Sequence, residues 1–85
     1  MSLILNKYKY NPDDFKGLLN LSDDLNTFYE LFERYKNSDS QDDWYYLLKH
    51  WGDLFFTIKH REVEGFLDPV TANDIRGYLE ALLYD

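Results

Sequence analysis

The most regular helical pattern in the chain lies in residues 40–61. Its apolar residues recur at intervals of three and four, the spacing that places side chains on one face of a helix. They are Trp44, Leu47, Leu48, Trp51, Leu54, Phe55 and Ile58. Tyr45, Gly52 and Phe56 adjoin that face and widen the apolar arc to roughly 200° at about 100° per residue. So wide an arc predicts a central helix that other helices contact on two sides.

Local signals mark the starts of three further helices. Asn11 suits an N-cap and Pro12 the first helical position. Ser22 marks the start of a second helix, and Thr71, with Asp74 three residues later, marks the start of the last. The predicted helices cover residues 12–20, 23–36, 41–61 and 72–84.

Four helices joined by short connectors predict an all-α fold, a small bundle of three to four helices in a single domain over residues 1–85. A chain of 85 residues has room for one domain. Aromatic residues make up 19% of it and can supply a dense core. Residues 1–10 are compatible with an extended arm packed on the bundle or with a first helical turn.

The charge and composition narrow the classes of partner. With a net charge of −7 the chain lacks the excess of Lys and Arg that contact with phosphates needs, so direct binding to nucleic acid or to an anionic membrane is not expected. No apolar run is long enough for a membrane span, and the first residues lack the apolar core of a signal peptide. The absence of Cys fits a reducing compartment, so we expect a cytoplasmic protein. Many Asn, Lys and Tyr beside only two Ala suggest an AT-rich bacterial or phage genome.

Three pairs of adjacent aspartates are the most conspicuous acidic feature. They are Asp13-Asp14, Asp23-Asp24 and Asp42-Asp43. Each pair falls in a predicted first helical turn, where the helix dipole favours anions by about 0.3–1 kcal/mol. None has the ligand spacing of an EF-hand loop. These pairs are therefore interpreted as parts of helix starts rather than as a cation site.

The two histidines suggest an alternative function, which is metal binding. His50 and His60 would lie more than about 13 Å apart along a continuous helix, too far to share one metal ion. His50 with Asp53, and His60 with Glu64, would each supply two ligands, fewer than a zinc site uses. A metal-binding domain or small metal-assisted enzyme would therefore need both pairs to meet across an oligomer interface.

Motifs of known catalytic or cofactor sites are missing from the sequence. It contains no nucleophile elbow, glycine-rich phosphate loop, H-E-x-x-H or dinucleotide fingerprint. We therefore predict no catalytic residue, no cofactor and no metal ligand. The leading hypothesis is a non-catalytic interaction protein.

Aromatic residues outside the predicted core indicate where a partner would bind. Tyr45, Tyr46 and Phe56 lie off the main apolar face of the central helix, and Asp53 adds a charge beside them. Aromatic residues are enriched in protein interfaces, so these four are the predicted partner-binding residues. The partner is expected to be a protein, either one of basic character or a second copy of the chain. A narrower alternative is an inhibitor or immunity-type protein, whose carboxylates would mask a basic site.

Overall fold

The computed structural model describes residues 8–84 and shows three α-helices that form a bundle. Helix α1 spans Leu21–Ser38, α2 spans Gln41–Val63 and α3 spans Pro69–Tyr84. A short 3-10 helix at Pro12–Phe15 precedes them. Residues 8–84 contain no strand, so the predicted all-α bundle of three to four helices is confirmed.

Helices α1 and α2 form an antiparallel hairpin. Near their connection the rings of Tyr35 and Trp44 lie 5.1 Å apart. At the opposite end Thr57 Oγ1 donates to Asp24 Oδ2 over 2.8 Å. These two contacts join the end of one helix to the start of the other.

Helix α3 returns antiparallel to α2. At one end Arg76 of α3 pairs with Glu62 of α2 over 3.2 Å. At the other end the rings of Tyr84 and Trp44 lie 6.1 Å apart. Helix α2 therefore contacts a helix on each of two sides, as its wide apolar arc predicts.

The core is formed by one apolar face of each helix. Its fully buried side chains are Leu21, Leu25, Phe28, Tyr29, Leu47, Leu54, Ile58, Ala72, Ile75 and Leu79. Trp44 and Trp51 are half-buried and pack against this cluster. Phe55 differs from the predicted buried face because it is 41% exposed. Its ring is covered in part by the Arg76 guanidinium, 5.5 Å from the ring centroid.

The segment predicted as a helix over residues 12–20 forms only the 3-10 helix. The start is as predicted, since Asn11 Oδ1 accepts from the Asp13 N–H over 3.0 Å. The helix does not continue because Lys16 is extended, with ψ 134°, and Gly17 follows with a φ of +95°, in the left-handed region. These two residues form a turn in which the Leu18 N–H donates to the Phe15 carbonyl over 3.1 Å. Asn20 is also left-handed, with φ 66°, and α1 begins at the next residue instead of after Ser22.

Residues 8–10 take the place of a fourth helix. The rings of Tyr8 and Tyr29 stack at 4.0 Å with 4° between their planes. Tyr29 Oη donates to the Tyr10 carbonyl over 2.6 Å, and burial raises the pKa of Tyr29. Lys9 Nζ lies 2.8 Å from Asp74 Oδ2 of α3. The predicted arm over residues 1–10 stays a prediction, because residues 1–7 lie outside the described part.

The last helix begins earlier than its predicted start at residue 72. Pro69 occupies the first helical position, where its fixed φ is favourable. Asp68 Oδ1 accepts from the Thr71 N–H over 3.3 Å, so Asp68 takes the capping role predicted for Thr71. Asp74 consequently lies inside the helix and serves the contact with Lys9 rather than the helix start.

The end of α2 is fixed by a left-handed glycine. Gly65 has a φ of +88°. Its N–H donates to the Glu62 carbonyl over 3.1 Å, and the Phe66 N–H donates to the Arg61 carbonyl over 2.9 Å. This pair of bonds is the Schellman arrangement, which satisfies carbonyls of the last helical turn.

Candidate functional site

The side of α2 that points away from the core carries exposed aromatic rings. We define the outward face of α2 as Tyr45, Lys49, Gly52, Phe56, Lys59 and Val63. Tyr45 is 71% exposed and Phe56 is 70% exposed. At about 100° per residue, Phe56 points roughly 160° away from the buried Leu54. The apolar rings on this face therefore cannot contribute to the core of their own chain.

Tyr46 and Asp53 lie beside that face, in a groove between α1 and α2. The groove has a volume of about 360 Å³. Its lining residues are Leu31, Arg34, Asp43, Tyr46, Lys49, His50 and Asp53. Tyr46 is 62% exposed at its edge. The four predicted partner-binding residues thus fall in two adjoining places: Tyr45 and Phe56 on the outward face, Tyr46 and Asp53 in the groove.

Gly52 lies in the middle of the outward face. Apart from its two chain neighbours and the nearby backbone of α2 itself, no atom of the described residues lies within 4 Å of the position that a Cβ there would occupy. Glycine in a helix interior costs about 0.5–1 kcal/mol relative to alanine. Nothing within the described part of the chain requires a glycine here, so the fold alone does not account for it.

Two pairs of opposite charges on α1 and α2 have a spacing of four residues but do not form ion pairs within their own helices. Lys49 and Asp53 make no ion pair within 4.0 Å among the described residues, although their spacing allows one. Arg34 reaches across to Asp43 of α2 over 3.6 Å instead of pairing with Glu30 on its own helix. The outward face as defined holds two lysines and no carboxylate, on a chain of net charge −7. Lys59 Nζ lies 3.8 Å from Glu62 Oε2, which lies beside the face.

The residues of the alternative metal site are not brought together. His50 Nε2 donates to the Asp24 carbonyl of α1 over 3.1 Å and so serves the packing of α1 on α2. Glu64 accepts from the Arg61 guanidinium. Within residues 8–84 no group of three or more His, Asp or Glu side chains is close enough to hold a metal ion.

The acidic pairs lie where the sequence predicts them. Each occupies the first turn of the 3-10 helix, of α1 or of α2. Ser40 takes the N-cap position of α2 but makes no capping bond with its side chain. Instead Ser38 Oγ donates to Asp43 Oδ2 over 2.5 Å and accepts from the Ser40 N–H over 3.2 Å.

Sequence reasoning missed a second exposed apolar face, on α3. Val70 is 76% exposed and Tyr84 is 67% exposed. Gly77 lies between them at a spacing of seven residues from each, again with no atom within 4 Å of a Cβ position. A helix that began at residue 72, as predicted, would leave Val70 before its first turn. The earlier start at Pro69 turns this side chain outward.

Comparison of the chain with protein-family models, with curated proteins and with solved structures gives no match. None of the helices in the described part is long and apolar enough to cross a membrane. The candidate site therefore has to be interpreted from its own geometry.

Proposed function

We propose that this protein is a non-catalytic interaction module that presents the outward face of α2 to a protein partner. One observation carries the proposal: Tyr45, Tyr46 and Phe56 stay 62–71% exposed on a helix whose opposite side fills the core. We also propose that the protein acts in the cytoplasm of a bacterial or phage-infected cell, as its composition suggests.

The exposed rings are large enough to drive binding. An aromatic side chain can bury roughly 150–250 Å², and apolar burial contributes about 25 cal/mol per Å². Each ring at its present exposure therefore offers on the order of 3 kcal/mol before the cost of association. Single exposed aromatics are common, but Tyr45 and Phe56 share one face of α2 and Tyr46 lies at the edge of the adjoining groove, so together they give α2 an apolar surface of the kind that partners cover.

A photoreactive amino acid at Lys49 tests the proposal without altering the rings. Lys49 lies on the outward face between Tyr45 and Phe56. We expect crosslinks to protein from position 49 in the native host, and few from the same probe at the exposed Glu30 of α1. The additional substitution Phe56→Ala should lower the yield at position 49 about fivefold or more, since hot-spot aromatics carry much of the binding energy. Equal yields at positions 49 and 30, or a yield that Phe56→Ala leaves unchanged, would contradict the proposal.

A further inference from the structure

We infer that the partner is a second copy of this chain, which packs antiparallel against the outward face of α2 with Gly52 at the two-fold axis. This inference rests on the proposed function, because it uses the same face. It adds the identity of the partner, the direction of the two helices and the residue at their crossing.

The arrangement of charges and rings on the face complements itself. In an antiparallel pair centred on Gly52, a residue seven positions before the centre faces the residue seven positions after it in the other copy. Tyr45 therefore faces Lys59 of the second copy, and Lys49 comes opposite Phe56 of the second copy within about one residue. Ammonium groups are attracted to the faces of aromatic rings, so each copy supplies both halves of the same contact.

The net charge of the chain also favours this face. Two copies of net charge −7 repel each other, so they approach most readily where a surface lacks negative charge. The outward face meets that condition because it carries Lys49 and Lys59 and no carboxylate. A basic partner would instead be drawn to the aspartates at the helix starts, which lie away from the centre of this face.

Gly52 allows the two helices to come close. Packed helices usually have axes about 8–10 Å apart, and small residues at the crossing permit the shorter distances. The missing Cβ leaves a notch between Tyr45 and Phe56, with open space around it in the single chain. A second helix seated in this notch would contact both rings at once.

The size of the face sets the strength of the pairing. Two rings at about 70% exposure, together with Val63 at 74%, provide less than the roughly 800 Å² per partner of a standard stable interface. We therefore expect a reversible dimer that forms at a protein concentration of about 10 μM or higher.

Single cysteines provide a direct test because the natural sequence has none. Facing Cα atoms at a close helix crossing lie within the roughly 4.4–6.8 Å that a disulfide spans. Under mild oxidation, Gly52→Cys should form a disulfide between two chains at least about tenfold faster than Gly77→Cys, the same change at an exposed glycine of α3. Equal rates for the two variants would overturn the inference.

A pair of cysteines tests the direction of the helices. Tyr45 and Lys59 are about 21 Å apart on one helix, so a disulfide between them must join two chains. We expect crosslinked dimers from the double variant Tyr45→Cys with Lys59→Cys, and few from Tyr45→Cys alone. Efficient crosslinking of Tyr45→Cys to itself would show a parallel pair and contradict the inference.

Matched glycine substitutions separate loss of pairing from loss of fold. Glutamine is a better helix former than glycine, so Gly52→Gln and Gly77→Gln should both fold and melt at the same or a higher temperature. Only Gly52→Gln should weaken self-association, by about tenfold or more in sedimentation equilibrium, because its side chain fills the notch. Equal dimer dissociation constants for the two variants would count against Gly52 as the crossing point.

The inference and the proposed function can fail separately. If the protein stays monomeric up to about 1 mM and the Lys49 probe still captures a different protein, the second copy is excluded and the interaction module remains. If the protein is monomeric and the Lys49 probe captures no protein, both are wrong.

Discussion

At the scale of single residues, Arg61 is the feature most specific to this fold. It is 8% exposed and is the one charged residue that is buried among residues 8–84. Its Nε and Nη2 donate to the Leu19 carbonyl over 3.0 and 2.7 Å, and Nη1 donates to Glu64. Arg61 therefore holds the segment before α1 against the last turn of α2.

Removal of this side chain should weaken the whole domain. We expect Arg61→Ala to lower the free energy of unfolding by about 2–3 kcal/mol, because the Leu19 carbonyl loses its donors and the buried stem is lost. The measurement is urea unfolding followed by circular dichroism. Lys59→Ala, two residues earlier on the exposed side, is the control and should stay within about 0.5 kcal/mol. If Arg61→Ala lowers the free energy of unfolding by less than about 0.5 kcal/mol, the contacts of Arg61 with Leu19 and Glu64 contribute little to stability.

At the scale of elements, the segment over residues 8–10 joins α1 to α3. Tyr8 packs on Tyr29 of α1, while the Lys9 ammonium and the Tyr10 hydroxyl both donate to Asp74 of α3. The Lys9 backbone N–H also donates to Tyr78 Oη over 3.0 Å. A segment of three residues without helical structure thus contacts both α1 and α3.

The contact of residues 8–10 with Asp74 of α3 should weaken at acid pH. Hydrogen bonds from Lys9 and then from Tyr10 hold the pKa of Asp74 below its usual 3.8. A carboxyl group whose pKa is lower in the folded state adds stability above its unfolded pKa, and that contribution is lost as the pH falls through the folded pKa. We expect the wild type to be slightly more stable than Asp74→Asn at pH 7, and the difference to shrink as the pH falls below 3.8 and through the lower folded pKa of Asp74.

The effect should be small, because the Lys9–Asp74 pair is exposed to solvent. Urea midpoints at a series of pH values measure it, with Glu80→Gln on the same helix as the control. A difference between the wild type and Asp74→Asn that is the same at pH 3 and pH 7 would show that the ionised carboxylate is not its source.

At the scale of the whole molecule, the net charge of −7 would oppose the proposed pairing of two copies, and the outward face of α2 would favour it. The repulsion acts between charges far apart and is screened over a Debye length of about 8 Å at physiological salt. The contacts on the face are short-range and are screened less.

Salt should therefore strengthen self-association. We expect the dimer dissociation constant to fall severalfold when NaCl is raised from about 10 mM to about 150 mM, since the Debye length shortens from about 30 to 8 Å. Sedimentation equilibrium at the two salt concentrations measures it, and Gly52→Gln should show little dimer at either. Binding that weakens with salt would instead indicate attraction between opposite charges, as for a basic partner.

The three long helices could be predicted because their signals are local. Residues 41–61 lie within the observed α2, Gln41–Val63, and the apolar spacing identified both its buried face and its two-sided contacts. Asn11 and Pro12 likewise fixed a helix start. The extent of that first helix was wrong because the chain turns at Lys16 and Gly17, where an extended residue is followed by a left-handed glycine.

The candidate site could be predicted only in part. Periodicity alone shows that Tyr45, Tyr46 and Phe56 leave the main apolar face of α2. It does not show that Tyr46 and Asp53 lie in a groove beside α1, because the groove depends on where Arg34 and the rest of α1 lie.

The sequence by itself determined the helices, their apolar faces and the rings left outside, because these depend on residues within a turn or two of each other. The tertiary structure alone decided the roles of Arg61 and Asp74. Arg61 contacts Leu19 across 42 residues, and Asp74 contacts Lys9 across 65. No local pattern encodes such pairs, because each needs the packed bundle to bring its two residues together.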